Sequence, residues 1–204
     1  ISVVYNGVSN AYRPVSREEK EEYQKSYPKG KPYFIFVGSI HPRKNVERLL
    51  QAFELFRKKN QEYQLLIVGS NMWRKQSLKV PEAIEDNVFF TGHVQMEILT
   101  KLMASAFALA YPPYFEGFGI PLVEAMKCGI PILSSDRTCL PEVAGDAAIY
   151  FDPFDIVHMA NSMEEIVNNS SKREKLIENG RIKALNYNWD EAASKTWEIL
   201  REFL

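Results

Sequence analysis

Short apolar runs alternate with amphipathic stretches along nearly all of this 204-residue chain, and that alternation leaves few folds open. Strand-like runs stand at 2–5, 33–38, 64–68, 88–90, 107–111, 131–134 and 148–151, and stretches with helical spacing at 45–59, 95–105, 119–127 and 155–169. Strands separated by helices pair in parallel rather than as hairpins, and a parallel sheet must be covered on both faces. The expected fold class is therefore α/β, a Rossmann-like, doubly wound, mostly parallel sheet with helices on both faces. Val46, Leu49, Leu50, Phe53 and Phe56 recur at helical spacing behind Asn45, a residue type that caps helices. The tail reads as two helices, 172–185 and 189–204, with Gly180 a weak point inside the first. With 46% hydrophobic residues the chain can bury one core, and residues 1–204 read as a single domain.

Ligands of such sheets bind beyond the carboxyl ends of the strands. Five loops fall on that rim: Ser39 to Lys44, Gly69 to Asn71, Gly92 to Val94, Pro112 to Gly119 and Ser134 to Thr138. The fourth leads into Glu116-Gly-Phe-Gly-Ile-Pro-Leu-Val-Glu124, in which Pro112-Pro113 ends a strand and Pro121 suits the first turn of a helix. Backbone N–H groups of Gly117, Phe118 and Gly119, with Ile120 opening the helix, can cradle a diphosphate. Gly38 permits a similar close approach at the end of its strand. Carboxylates would repel that diphosphate, so Glu116 and Glu124 suit hydroxyls at its two ends, those of a sugar and a ribose. Arg43 and Lys44 stand where cations would neutralise the diphosphate. The ligand these residues imply is a nucleoside-diphosphate sugar. The sequence has no Asp-x-Asp pair of the kind that holds a divalent metal on a diphosphate, so metal independence and no cofactor are expected.

Other classes are disfavoured. The 25 basic and 26 acidic residues leave a formal charge of -1, which gives no field to recruit nucleic acid. No apolar run reaches 18 residues and no signal-peptide pattern opens the chain. Cys128 and Cys139 form neither a zinc pattern nor a disulfide framework, and a reduced cytoplasm fits them best. His41 suits either a phosphate contact or a turn, and His158 a structural place in a helix. Glu142 reads as structural, in a mostly loop-like neighbourhood.

The segment EGFGIPLVEAMKCGIPIL resembles the signature of retaining glycosyltransferases of the two-Rossmann-domain (GT-B) architecture, in the large group that includes many mannosyl- and glucosyltransferases. YNGVSNAYRP at 5–14, YFIFVGSIHPRKNVERLLQAF at 33–53, QLLIVGS at 64–70, NVFFTGHV at 87–94 and LPEVAGDAAIYFDP at 140–153 extend the likeness in the order of that group's C-terminal domain. The resemblance implies a donor-binding domain whose acceptor-binding partner domain is missing before Ile1, and a last helix, 187–204, that crosses back to it. It implies catalytic roles for Glu116, Lys44 and Arg43, and donor contacts from Glu124, Gly117, Phe118, Gly119, Ile120, Gly38, Ser39, His93 and Val94, the last two bordering the nucleobase. Ser39 stands where the group commonly has an arginine. VGSIHPRKN is similar to bacterial mannosyl- and rhamnosyltransferases, so GDP-mannose is the first expected donor and a UDP-sugar the second. The acceptor implied is a sugar, lipid or polysaccharide, with the full-length enzyme cytoplasmic and peripheral to a membrane and the isolated chain inactive as a transferase. The alternatives are a module that holds a nucleotide or sugar phosphate without transferring it, and a nucleotide-sugar epimerase-like domain.

Overall fold

A computed structural model describes residues 1–27, 30–70 and 78–202. Six strands form one parallel sheet: β1 (Tyr33–Val37), β2 (Gln64–Val68), β3 (Val88–Gly92), β4 (Ala108–Tyr111), β5 (Ile132–Ser135) and β6 (Ala148–Phe151). Their spatial order is β3-β2-β1-β4-β5-β6, so the direction of winding reverses between β1 and β4. Every residue of β1, β2, β4 and β5 is buried, because helices cover both faces and no solvent side remains for polar alternation. β3, at one edge, is half-exposed. The α/β expectation is met.

Among the described residues eight α-helices surround the sheet: α1 (Arg17–Ser26), α2 (Val46–Arg57), α3 (Met96–Ser105), α4 (Ile120–Cys128), α5 (Leu140–Ala144), α6 (Ile156–Asn168), α7 (Ser170–Ala184) and α8 (Trp189–Arg201). α2 buries Val46, Leu49, Leu50, Phe53 and Phe56 and packs on α6, while α4 meets α3 and α7, and α1 lies on α3. No helix among the described residues is long and apolar enough to cross a membrane.

Several sequence readings are corrected. Residues 2–5 form no strand; Ile1 and Val3 are exposed, and the segment instead lies along the chain's other end, with Val8 N–H donating to the Tyr187 carbonyl. Helix α1 shows no apolar periodicity, because REEKEEYQKS has almost no apolar face; its signal in the sequence is the Ser16/Glu19 capping box. Residues 140–144, read as loop, form the short helix α5. α7 runs through Gly180 unbroken, and a side chain there would meet Met126 of α4 at 3.3 Å. Asn45 does not cap α2 through its side chain. It takes a left-handed backbone (φ 58°), and its amide nitrogen donates to the Pro112 and Pro153 carbonyls at 3.1 and 2.8 Å while its oxygen accepts from the Tyr114 hydroxyl. Asn45 thus ties together the loops after β1, β4 and β6. Of the rim loop Gly69 to Asn71, Asn71 lies outside the described residues.

Candidate functional site

The loops after β1 and β4 meet where the winding reverses, the position at which two neighbouring loops part and leave a crevice. After β1 the chain passes Gly38 and Ser39 and makes one tight turn, Pro42–Lys44, opened by His41, whose ring Nδ1 accepts from the Arg43 N–H. That turn aims Lys44 inward and leaves Arg43 nearer the surface. After β4, Pro112 to Gly119 carries Glu116 over the same spot, pinned by the Tyr114 N–H donating to the Arg43 carbonyl at 2.8 Å.

The result is one charged cluster. Lys44 Nζ lies 2.5 Å and Arg43 Nη1 2.8 Å from the same Glu116 carboxylate oxygen, with the Lys44 and Glu116 side chains only 9% and 10% exposed. Lys44 also donates to the Tyr111 hydroxyl at 2.7 Å, and Arg43 to the Phe115 carbonyl at 3.1 Å. Burial pulls the Lys44 ammonium below its usual range, and the bond it donates to Glu116 opposes that pull. Tyr111 is pushed far up, first by burial and then by its carboxylate neighbours, Glu116 and Glu124, so it senses both glutamates.

The backbone of Glu116 is held from the loop after β5. Its N–H donates to Thr138 Oγ1 at 3.3 Å, and the Cys139 thiol donates to its carbonyl at 3.3 Å. Thr138 adopts φ 56°, an uncommon backbone for a β-branched residue. Tyr111, Thr138, Cys139 and Asn45 are the parts of this site that sequence reasoning missed or misread.

Gly117 and Gly119, expected to act alike, differ. Gly117 is exposed and a side chain there would meet nothing within 4 Å. Gly119 is buried, has φ 90°, and a side chain there would meet Leu140 at 2.5 Å and Leu122 at 2.8 Å. Gly119 caps α4 with no side-chain bond, and Ile120, first in the helix, is exposed. Within the first turn of α4, Pro121 has no N–H and the Leu122 N–H donates to the Gly119 carbonyl at 2.9 Å, so the backbone donors left for a ligand are those of the glycine turn itself and of Ile120. Gly38 (φ 145°) borders Lys44, at 3.5 Å from where a side chain would begin.

Glu124 lies one turn into α4 and is half-buried. Burial raises its carboxyl above the usual range, and a hydrogen bond from Tyr12, itself buried, draws it partly back. His93 and Val94 follow β3, at the far edge of the sheet; among the described residues no hydrogen bond or ion pair joins them to the Glu116 cluster. Glu142, on α5, accepts from the Tyr5 hydroxyl. His158, on α6, accepts at Nδ1 from the Asp152 N–H at 3.4 Å, in keeping with a structural place.

Comparison with known proteins adds sequence to this geometry. The model of the family "Glycosyl transferases group 1" matches residues 17–183. The chain is 33% identical over 168 residues to the O-antigen chain mannosyltransferase B of Escherichia coli, covering 80% of this chain and 44% of that protein. It is 34% identical over 158 residues to the O-antigen chain mannosyltransferase RfbU of Salmonella typhimurium, covering 76% of this chain and 41% of that one. The Anabaena protein HepE, solved in complex with UDP and glucose, superposes with a TM-score of 0.88 at 19% identity, over 98% of this chain and 57% of that one. The chain thus spans less than half the length of the two curated relatives it matches.

Proposed function

The chain belongs to the group 1 glycosyl transferases, and we propose that it binds the nucleoside-diphosphate sugar for an enzyme that transfers a hexose, with retention of configuration, to a sugar, lipid or polysaccharide acceptor. The observation that carries this reading is the Lys44–Glu116–Arg43 cluster, its Lys44–Glu116 pair buried and Arg43 at the surface, beside the glycine turn that opens α4. Two cations stand beside the exposed Gly117 backbone and the start of α4, the combination that an incoming diphosphate needs.

In this reading the diphosphate takes Lys44 and Arg43 from Glu116. The released carboxylate then accepts hydroxyls of the sugar, so its buried charge keeps partners throughout. The bond between the anomeric carbon and the diphosphate oxygen breaks with its electron pair going to the diphosphate, whose charge the two cations and α4 stabilise. The acceptor hydroxyl oxygen bonds to the anomeric carbon and its proton leaves to the diphosphate or solvent. Glu124 accepts ribose hydroxyls, and His93 and Val94 border the base. Mannose carried by GDP is the first donor in this proposal, supported by the O-antigen mannosyltransferases among the relatives; a UDP-sugar is the second, supported by the UDP-bound structural neighbour. Metal independence belongs to the same proposal, with the cations supplied by the protein. So do a cytoplasmic location, peripheral to a membrane, and an acceptor held mainly outside this chain.

The test is calorimetric titration of GDP, UDP, ADP, TDP and CDP into the chain, with and without magnesium, and into Glu124→Ala. Binding of one nucleotide in the absence of metal, lost in the variant, supports the reading; equal and weak heats for all five overturn it.

A further inference from the structure

Within the tripeptide Gly117-Phe118-Gly119 only one side chain exists, so the packing of Phe118 decides how firmly this turn is held. Its neighbours come from opposite ends of the chain. The Phe118 ring centre lies 6.1 Å from that of Tyr5 and 5.7 Å, edge-on, from that of Tyr187, and these two are 5.9 Å from each other, also edge-on. Both tyrosines are fixed at their far ends to α5: the Tyr5 hydroxyl donates to Glu142, and the Tyr187 hydroxyl donates to the Val143 carbonyl at 2.8 Å. The two end segments also lock to each other. Val8 N–H donates to the Tyr187 carbonyl, and Gly7 lies so close to Trp189 that a side chain there would meet its backbone nitrogen at 2.3 Å.

We infer that Tyr5 and Tyr187 are positioning residues for the Gly117–Gly119 turn, acting through Phe118, so that the two ends of the chain jointly set the turn that receives the diphosphate. The inference deepens the proposed function and rests on it for the identity of the ligand. It also gives Tyr5, which the sequence pattern assigned to a strand, a different role. Glu142, read from sequence as structural, becomes the anchor of one arm.

The test uses Tyr5, which is 41% exposed along a groove of about 460 Å³ shared with Trp189 and Trp197, so that replacing it does not hollow the core. Amide hydrogen exchange over residues 117–122 and calorimetric titration with GDP and UDP are measured on the chain, on Tyr5→Leu and on Tyr5→Phe. An aromatic pair is worth roughly a two- to tenfold factor. Tyr5→Leu, which loses two pairs and the bond to Glu142, is expected to speed exchange over the turn and weaken the nucleotide by about tenfold while the chain stays folded, its melting temperature lower by no more than a few degrees, and Tyr5→Phe, which keeps both rings, to recover most of both. Unchanged exchange in Tyr5→Leu, or faster exchange with unaltered affinity, overturns the inference. If the unmodified chain binds neither nucleotide, the GDP and UDP forms of the donor proposal fall, and the exchange rates still decide whether the tyrosines hold the turn.

Discussion

The ammonium of Lys44 sits 2.5 Å from a carboxylate oxygen of Glu116, and both side chains are about nine-tenths buried between the loops that follow β1 and β4. A buried pair of this kind is costly to half-remove, because the survivor keeps its desolvation cost without its partner. Arg43 remains on Glu116 when Lys44 is replaced, which softens that cost. Lys44→Met is therefore expected to lower unfolding stability by about 2 kcal/mol, below the roughly 3–5 kcal/mol typical of a stranded buried charge. Adding Glu116→Gln should return part of the loss without restoring nucleotide binding. Urea unfolding of the two single variants and the double variant measures the coupling directly. A coupling near zero would show that the pair is a bystander.

The two glycines of the α4 turn make opposite predictions. At Gly119 an added methyl meets Leu140 and Leu122 and needs a left-handed backbone. Gly119→Ala should cost about 2–3 kcal/mol of stability. Gly117 has open space on all sides, so Gly117→Ala should change stability by less than about 0.5 kcal/mol. The same methyl stands where a diphosphate would approach the backbone, and nucleotide affinity should drop about tenfold, a loss of roughly 1.4 kcal/mol. Titration calorimetry alongside thermal melts separates the two cases, and equal affinity for Gly117→Ala and the native chain would remove that glycine from the binding surface.

The alternation of apolar runs and amphipathic stretches made the sheet and most of its helices legible, since period and burial are properties each segment carries alone. Side-chain roles that depend on distant segments were not. Asn45 stands before an apolar helix, the setting of a helix cap, yet its three bonds go to loops 67 to 108 residues away along the chain. Residues 2–5 have strand composition but pair with neither edge of the sheet, and Tyr5 instead joins a ring cluster with Phe118 and Tyr187. Glu116 and its two cations could each be named from the local motif. Their mutual pairing could not, because nothing local fixes how the loops after β1 and β4 lie against each other. The contacts of Thr138 and Cys139 were hidden for the same reason, although the loop ending at Thr138 was expected on the rim: they act on the backbone of Glu116 from the loop after β5.

Asn45 offers a test of that cross-linking role. It is almost fully buried and holds two carbonyls and the Tyr114 hydroxyl from a left-handed backbone. Asn45→Ala loses these bonds and also strains the backbone, whereas Asn45→Gly loses the bonds alone. With each bond worth about 1 kcal/mol and the left-handed conformation about 1–2 kcal/mol for alanine, Ala should be the less stable variant by about 1 kcal/mol and both should fall well below the native chain. Denaturant midpoints decide it: an alanine variant as stable as native would mean the amide carries no load, and one equal to glycine would mean the backbone strain is absent.

Glu124 predicts a pH dependence with a definite sign. Burial raises its carboxyl above the ordinary value of 4.5, and the Tyr12 hydrogen bond only partly reverses this. A folded-state value above the unfolded one means that the folded chain holds this proton more tightly. The stabilisation it provides is complete below about 4.5 and is lost as pH rises through the folded-state value. Glu124→Gln, which cannot ionise, should lack that loss, so its stability relative to the native chain should rise across the same window and then level off. Tyr12→Phe removes the bond that favours the carboxylate and should move the window upward. Nucleotide binding should run the other way, strengthening as the carboxylate forms to accept ribose hydroxyls. Urea midpoints of the native chain and Glu124→Gln between about pH 4 and pH 8 provide the check; a difference that stays flat across that range would place the Glu124 carboxyl in an ordinary, solvated setting and remove the physical basis for the shift.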